Sequence, residues 1–174
     1  MKKLYIIIPI MVLALLSIFF VCSCSKTVTL YFASMVDSRP YLIGETRQIE
    51  DPGNIYKTAV EELIKGPLAK GLYPTIPSDT VVNSVTVSDG LATVDFNIRI
   101  INNFEEIPHS SGTETLAIYS IVNTLTEFKD IERVKITIGG LSTGEVDGYM
   151  VEDFWGHIGI YEIFERNEEI IKDE

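Results

Sequence analysis

The chain has 174 residues, enough for one ordinary domain with an appendage. Its 14 basic and 25 acidic residues give a net charge of −11, which excludes the basic face that nucleic-acid binding requires. Apolar residues make up 46% and charged ones 22%, a globular balance, and two cysteines are too few for a disulfide scaffold. The mean hydropathy of +0.21 is high for so acidic a chain. The surplus is local, because residues 5–22 carry no charge at all.

That run, preceded by Lys2 and Lys3 and followed by Val21-Cys-Ser-Cys24, has the layout of a secretory leader. Its end looks like a bacterial lipobox, with aliphatic Val21 and small Ser23 ahead of Cys24 as the residue to be lipidated. Cys22 fits that pattern less well, because Phe19 and Phe20 are bulky. An uncleaved signal anchor is the alternative, since the run is just long enough to span a bilayer. Either way the body lies outside the cytoplasm and is tethered to a membrane. A diacylglycerol plus an N-acyl chain such as palmitate on Cys24 supplies enough acyl chains for stable anchoring. The expected organisation is a leader at 1–23, a lipidated start and short linker at 24–26, a folded body at 27–167 and an acidic tail, free to fray, at 168–174. Loss of Lys2 and Lys3 leaves 12 basic residues against 25 acidic, net −13, so the body is repelled by anionic headgroups.

Within the body, Thr27–Phe32 alternates, with Val28, Leu30 and Phe32 on one side, and predicts a first strand. A weaker pattern predicts a second over Tyr41–Glu50. Asn54–Lys65 reads as a helix whose apolar stripe runs through Ala59, Val60, Leu63 and Ile64 and which Gly66-Pro67 ends. Thr80–Ser88 and Leu91–Ile98 flank Asp89-Gly90, a two-residue hairpin turn signal. Continuous register from that turn pairs Val85 with Val94, Asn83 with Phe96 and Val81 with Ile98, putting Val81 on the apolar face. Residues 99–110 read as a polar loop. Ser111-Gly-Thr-Glu114 reads as a capping box before a second helix carrying Ala117, Ile118, Ile121, Val122, Leu125 and Phe128. Glu132–Ile138 is a further strand, and a last one is expected near Ile158–Phe164. Two one-sided helices with one-faced strands predict an α+β, two-layer domain with both helices on one face of a mostly antiparallel or mixed sheet.

Several stretches, in order, resemble the GerMN domain, the sporulation and spore germination module of bacterial envelope proteins. They are Val28-Thr-Leu-Tyr-Phe32, then Ala59-Val-Glu-Glu-Leu-Ile-Lys-Gly-Pro67, then Pro77-Ser-Asp-Thr80 ahead of the hairpin Val85-Thr-Val-Ser-Asp-Gly-Leu-Ala-Thr-Val-Asp-Phe96. Thr124-Leu-Thr-Glu-Phe128, Val134-Lys-Ile-Thr-Ile138 and the segment from His157 to Arg166 complete the set, although Ile163 stands where the family usually has proline. The connection between Leu141 and Gly156 is longer than the family's usual one. The resemblance implies a fold related to ring-building motifs of secretion and sporulation channels. It also implies a lipoprotein that binds or scaffolds envelope proteins in sporulation or germination, with no catalytic residues and no cofactor.

The residues themselves offer little chemistry. His109 and His157 lack metal-ligand spacing, there is no GxSxG elbow, and lipidation of Cys24 leaves no thiol in the mature chain. Glu105 and Glu106 are adjacent and so diverge rather than converge on one bond. Asp147, Glu152 and Asp153 lack EF-hand spacing. The reading is therefore a non-enzyme. Its membrane contact is the lipid on Cys24, and its partner is an envelope protein. Tyr149, Phe154 and Trp155 form an aromatic patch that is either edge-of-core packing or a surface for a protein, a cell-wall glycan or a small molecule.

Overall fold

A computed structural model describes residues 25–36 and 39–172. The leader and Cys24 lie outside the described residues. Two long strands, β1 (Ser25–Val36) and β2 (Arg39–Glu50), pair antiparallel along their whole length. Both exceed the expected bounds. β1 absorbs the residues assigned to a linker and runs on past Phe32 to the far end of the molecule. Helix α1 (Ile55–Ile64) starts where Asn54 Oδ1 accepts the Lys57 amide at 3.0 Å. It ends at Gly66, which takes a left-handed φ of 83°.

Strands β3 (Val82–Ser88) and β4 (Leu91–Phe96) form the expected hairpin, with Asp89 and Gly90 both at positive φ as a type I′ turn demands. The register holds from the turn through Val85–Val94 and then slips. A bulge between Val82 and Ser84 pairs Val82, not Asn83, with Phe96. Val82 is 2% exposed and Val81 54%, so the inward valine is one residue later than continuous pairing predicts. The slip is pinned by Asn97, whose amide donates to the Val81 carbonyl while its Oδ1 accepts the Val81 amide, both at 3.0 Å.

The expected loop at 99–110 contains a one-turn helix, α2 (Arg99–Asn102), because Ile100 and Ile101 are core residues. Helix α3 (Ser111–Leu125) is capped one residue earlier than predicted. Ser110 is the N-cap and Thr113 its reciprocal partner, which frees Glu114 from the capping box. Strand β5 (Arg133–Ile138) then returns parallel to β4. Two-residue strands β6 (Glu145–Val146) and β7 (Tyr149–Met150) pair with each other. The expected last strand shrinks to β8 (Phe164–Glu165), antiparallel to the start of β5. The main sheet is thus mixed, in the order β3-β4-β5-β8.

The fold is α+β, but the β1–β2 hairpin is a sheet of its own, not part of the mixed one. Helices α1 and α3 pack together and each touches both sheets. α3 is accordingly buried on nearly every side. Its predicted apolar stripe is joined by a second, polar face: Thr124 Oγ1 accepts the Tyr31 amide at 3.1 Å, and Ser120 Oγ accepts from Thr75 Oγ1 at 2.7 Å. The tail is not frayed over residues 168–172. Leu42 donates its amide to the Ile170 carbonyl and accepts from the Lys172 amide.

Arg47 fixes the hairpin to α1. It occupies a core-facing β2 position and is buried. All five of its donors are used. Nη1 reaches the Glu62 carbonyl and Oε2 at 3.1 Å, Nη2 reaches the Gly66 carbonyl at 3.0 Å and Glu45, and Nε reaches Glu45 Oε1 at 3.1 Å. Burial would push the Glu45 carboxyl up, but the Ala69 amide, the guanidinium and the Leu68 amide hold it below its ordinary 4.5. Burial likewise opposes Lys65 and Arg47 at Glu62, and the two cations win. Arg47→Met should cost about 3–5 kcal/mol at pH 7, because it strands two partly buried carboxylates and two carbonyls against the core. Depressed carboxyls stabilise above their unfolded value and lose that contribution as pH falls below 4.5. In urea titrations the gap between native and variant should therefore narrow in acid; a constant gap would exclude this ion cluster as the cause.

Candidate functional site

Beyond Phe32, the extra residues of β1 build one wall of an apolar groove. Ala33 exchanges backbone hydrogen bonds with Tyr73, at 3.1 and 2.8 Å, which draws the Tyr73-Pro74 link against the strand. The second wall is Ile107-Pro108 and the first turns of α3, with Leu116 at the floor and Pro40 closing the hairpin side. The groove encloses about 530 Å³. Met35 and Tyr73 are 60% and 57% exposed on its rim, so the apolar surface of the groove runs out to solvent. The 103–108 loop is held in place by Glu106, whose Oε2 accepts the Ser78 amide at 2.9 Å and lies 3.0 Å from the Ser78 hydroxyl. Glu106 is thus a tether, not half of an acid/base pair.

The aromatic patch singled out from sequence lies elsewhere and is mostly inside. Phe154 and Trp155 are 3% and 6% exposed, stacked on each other at 5.2 Å, and Trp155 Nε1 donates to the Ile100 carbonyl at 2.8 Å. Only Tyr149 is half-buried, 6.4 Å from the exposed Phe104 ring. The edge-of-core alternative describes Phe154 and Trp155. They turn inward because the long 139–163 connection folds back over α2 and α3. A stacking surface for a glycan cannot be built from rings already covered.

His109 stacks on Trp155 at 4.4 Å, and burial holds its imidazole below the ordinary 6.5. Glu114, released from the capping role, is fully buried, and its Oε1 accepts the Ile158 and Gly159 amides at 3.0 and 2.9 Å. Gly159 must remain glycine here: a Cβ would stand 2.3 Å from the Glu152 carbonyl oxygen. Glu152 Oε2 accepts the Gly144 amide, so its carboxylate is spent within the connection. Among the described residues no group of three His, Cys, Asp or Glu side chains is placed to hold a metal ion.

Sequence reasoning missed the groove. Its signals were Pro40, Pro74 and Pro108, dispersed along the chain, and Met35, just past the alternating stretch.

The chain matches the Germane family model, described as sporulation and spore germination, over residues 29–143. It is 32% identical over 117 residues to the spore germination protein GerM of Bacillus subtilis (strain 168), covering 66% of this chain but only 31% of that protein. The fold is similar to the tandem GerMN domains of the sporulation protein GerM from Bacillus subtilis, with a TM-score of 0.63 and 26% identity over 85% of this chain and 48% of that one. It is also similar to the first GerMN domain alone, with a TM-score of 0.55 and 27% identity over 79% of this chain and 99% of that one.

Trp155→Ala should cost about 3–5 kcal/mol, as a large core deletion does. Tyr73→Ala should stay within about 0.5 kcal/mol, as surface changes do. Chemical denaturation of both variants checks the division between core and rim, and equal losses would refute it.

Proposed function

Because the chain belongs to the Germane family of sporulation and spore germination proteins, we propose that it is a non-enzymatic, membrane-tethered envelope protein that docks a protein partner in the groove at the tip of the β1–β2 hairpin. The carrying observation is the groove itself: a concave apolar site with Met35 and Tyr73 left exposed on its rim. The tether is the lipid expected on Cys24, which places the body outside the cytoplasm. The chain spans about a third of the length of the curated relative it matches, so participation in sporulation or germination is carried over from a larger protein as part of this proposal.

Geometry supports a division of labour between the two ends of the hairpin. Ser25, the first residue of β1, directly follows Cys24. Met35 lies ten strand steps on, roughly 33 Å away at the rise of a β-strand. A lipid at one end therefore presents the groove away from the bilayer. The acidic body adds repulsion from anionic headgroups.

Cys24→Ala should move the protein from the membrane fraction to the soluble fraction. If the variant stays membrane-bound at full length, the tether is an uncleaved span and not a lipid. A photocrosslinker at position 35 should trap a discrete protein adduct in cells, and Tyr73→Asp should abolish it while leaving the unfolding midpoint in place. Absence of an adduct, or its persistence in Tyr73→Asp, would remove the groove as the docking site.

A further inference from the structure

The segment after β8 is held in two parts. Asn167 is clamped by Asn123: its amide donates to Asn123 Oδ1 and its carbonyl accepts from Asn123 Nδ2, both at 3.0 Å. Beyond it, a turn closed by the Ile171 amide on the Glu168 carbonyl at 3.1 Å brings residues 170–172 against the outer edge of β2, parallel to it, with Ile171 opposite Leu42. Two backbone hydrogen bonds hold them, Leu42 amide to Ile170 carbonyl at 2.8 Å and Lys172 amide to Leu42 carbonyl at 2.9 Å. The Lys172 ammonium sits 5.2 Å from the centre of the Tyr41 ring.

Ile170 and Ile171 cover a small apolar cluster of Tyr31, Leu42 and Leu116 that is separate from the main core. Leu116 is also the floor of the groove, so the two surfaces are continuous. The two isoleucines are only partly buried. On β2 itself, two hydrogen bonds, the Lys172–Tyr41 contact and two half-covered side chains must offset the backbone freedom that residues 170–172 lose on docking. Glu168 is paired with Arg166, and Glu169 contributes like charge to an acidic body. The tail is therefore a weak occupant of a well-formed site.

We propose that the β2 edge at Leu42 is a strand-acceptor site that the chain's own tail fills in cis, and that an extended segment of a partner protein, with two adjacent aliphatic residues and neutral or basic flanks, displaces the tail and takes its place. Main-chain bonds to Leu42 supply affinity, and the Tyr31–Leu42–Leu116 cluster selects the aliphatic pair. The charge on this tail favours a foreign strand over a second copy's, because another copy brings the same carboxylates. This inference stands apart from docking in the groove: an adduct at position 35 and strand exchange at Leu42 can fail separately.

The probe is a labelled peptide of residues 167–174 carrying Glu168→Lys and Glu169→Lys. It should bind the full chain carrying Ile170→Asp and Ile171→Asp at least roughly ten-fold more tightly than the native chain, whose tail competes in cis. The same peptide with both isoleucines changed to Asp should not bind. Equal affinity for native and variant chains, or binding of the isoleucine-free peptide, would overturn the proposal. A concentration-dependent dimer of the native chain, lost in the variant, would assign the site to a second copy and overturn the foreign partner. Should the double variant fail to fold, amide exchange on the native chain decides: the Leu42 and Lys172 amides should exchange far faster than the paired amides of β4 and β5. Protection equal to that of the core would make the tail a fixed strand.

Discussion

The buried Arg47 guanidinium sets the geometry on which the rest depends. It lies at a β2 position where alternation calls for an apolar side chain, against the Phe32 ring at 5.6 Å. A buried cation is tolerated only when its donors are all placed, and here each one is. Its carbonyl acceptors come from Glu62, in the last turn of α1, and from Gly66 just beyond it, where helix carbonyls lack internal partners. A positive charge there also complements the helix dipole. Glu45 extends the cluster outward, its Oε2 accepting the Leu68 and Ala69 amides at 2.8 Å. One cation therefore fixes the hairpin, the end of α1 and the start of the link to Tyr73. The wall of the groove inherits its position from that lock.

A second buried polar side chain does the corresponding work on the other side of the helical layer. Glu114 holds the long 139–163 connection by two amides, and Trp155 adds the indole bond to Ile100. The connection has only two-residue strands and a single 3-10 turn, so its backbone groups cannot satisfy one another as a sheet would. A carboxylate from a rigid helix replaces those missing partners. Tyr31, Glu127 and Arg166 form a third tie, between β1, the turn just after α3 and the segment after β8. Burial and the Glu127 carboxylate push the Tyr31 hydroxyl up to about 12, so it stays a neutral donor to Glu127 at any working pH.

Local periodicity was legible in the sequence, and long-range partnership was not. The turn at Asp89-Gly90 and the registers of Val85 and Val94 follow from pattern alone, because turn chemistry and burial agree there. The bulge at Val82 does not, since it is decided by Asn97, fourteen residues beyond Asn83 in the chain. Glu114 follows Ser111 at capping-box spacing, yet Ser110 and Thr113 satisfy the helix start one residue earlier. What Glu114 serves is a pair of amides more than forty residues away. Phe154 and Trp155 were open to both an edge-of-core and a surface reading, because their segment carries turn residues. Their burial depends on Ile100 and Ile101, hidden in a stretch that reads as polar. The groove was illegible for the same reason: its walls come from four separated segments, and no one of them shows by itself what it will face.

Placement of the groove and the tail at one end of the molecule has a physical consequence. β1 and β2 are each twelve residues long and fully paired, so the hairpin is a stiff rod, locked to α1 toward its Ser25 end by Arg47. The rod also packs on α1 and α3, so the groove is tied to the helical layer as well as to Ser25. The tail adds to the outer strand of the same rod at Leu42, two residues from Pro40 on the groove wall. Exchange of the tail alters the edge of the rod without breaking a bond of the β1–β2 pairing. The proposed docking at the tip and strand exchange at the edge would thus act on one element and leave the core between the sheets closed.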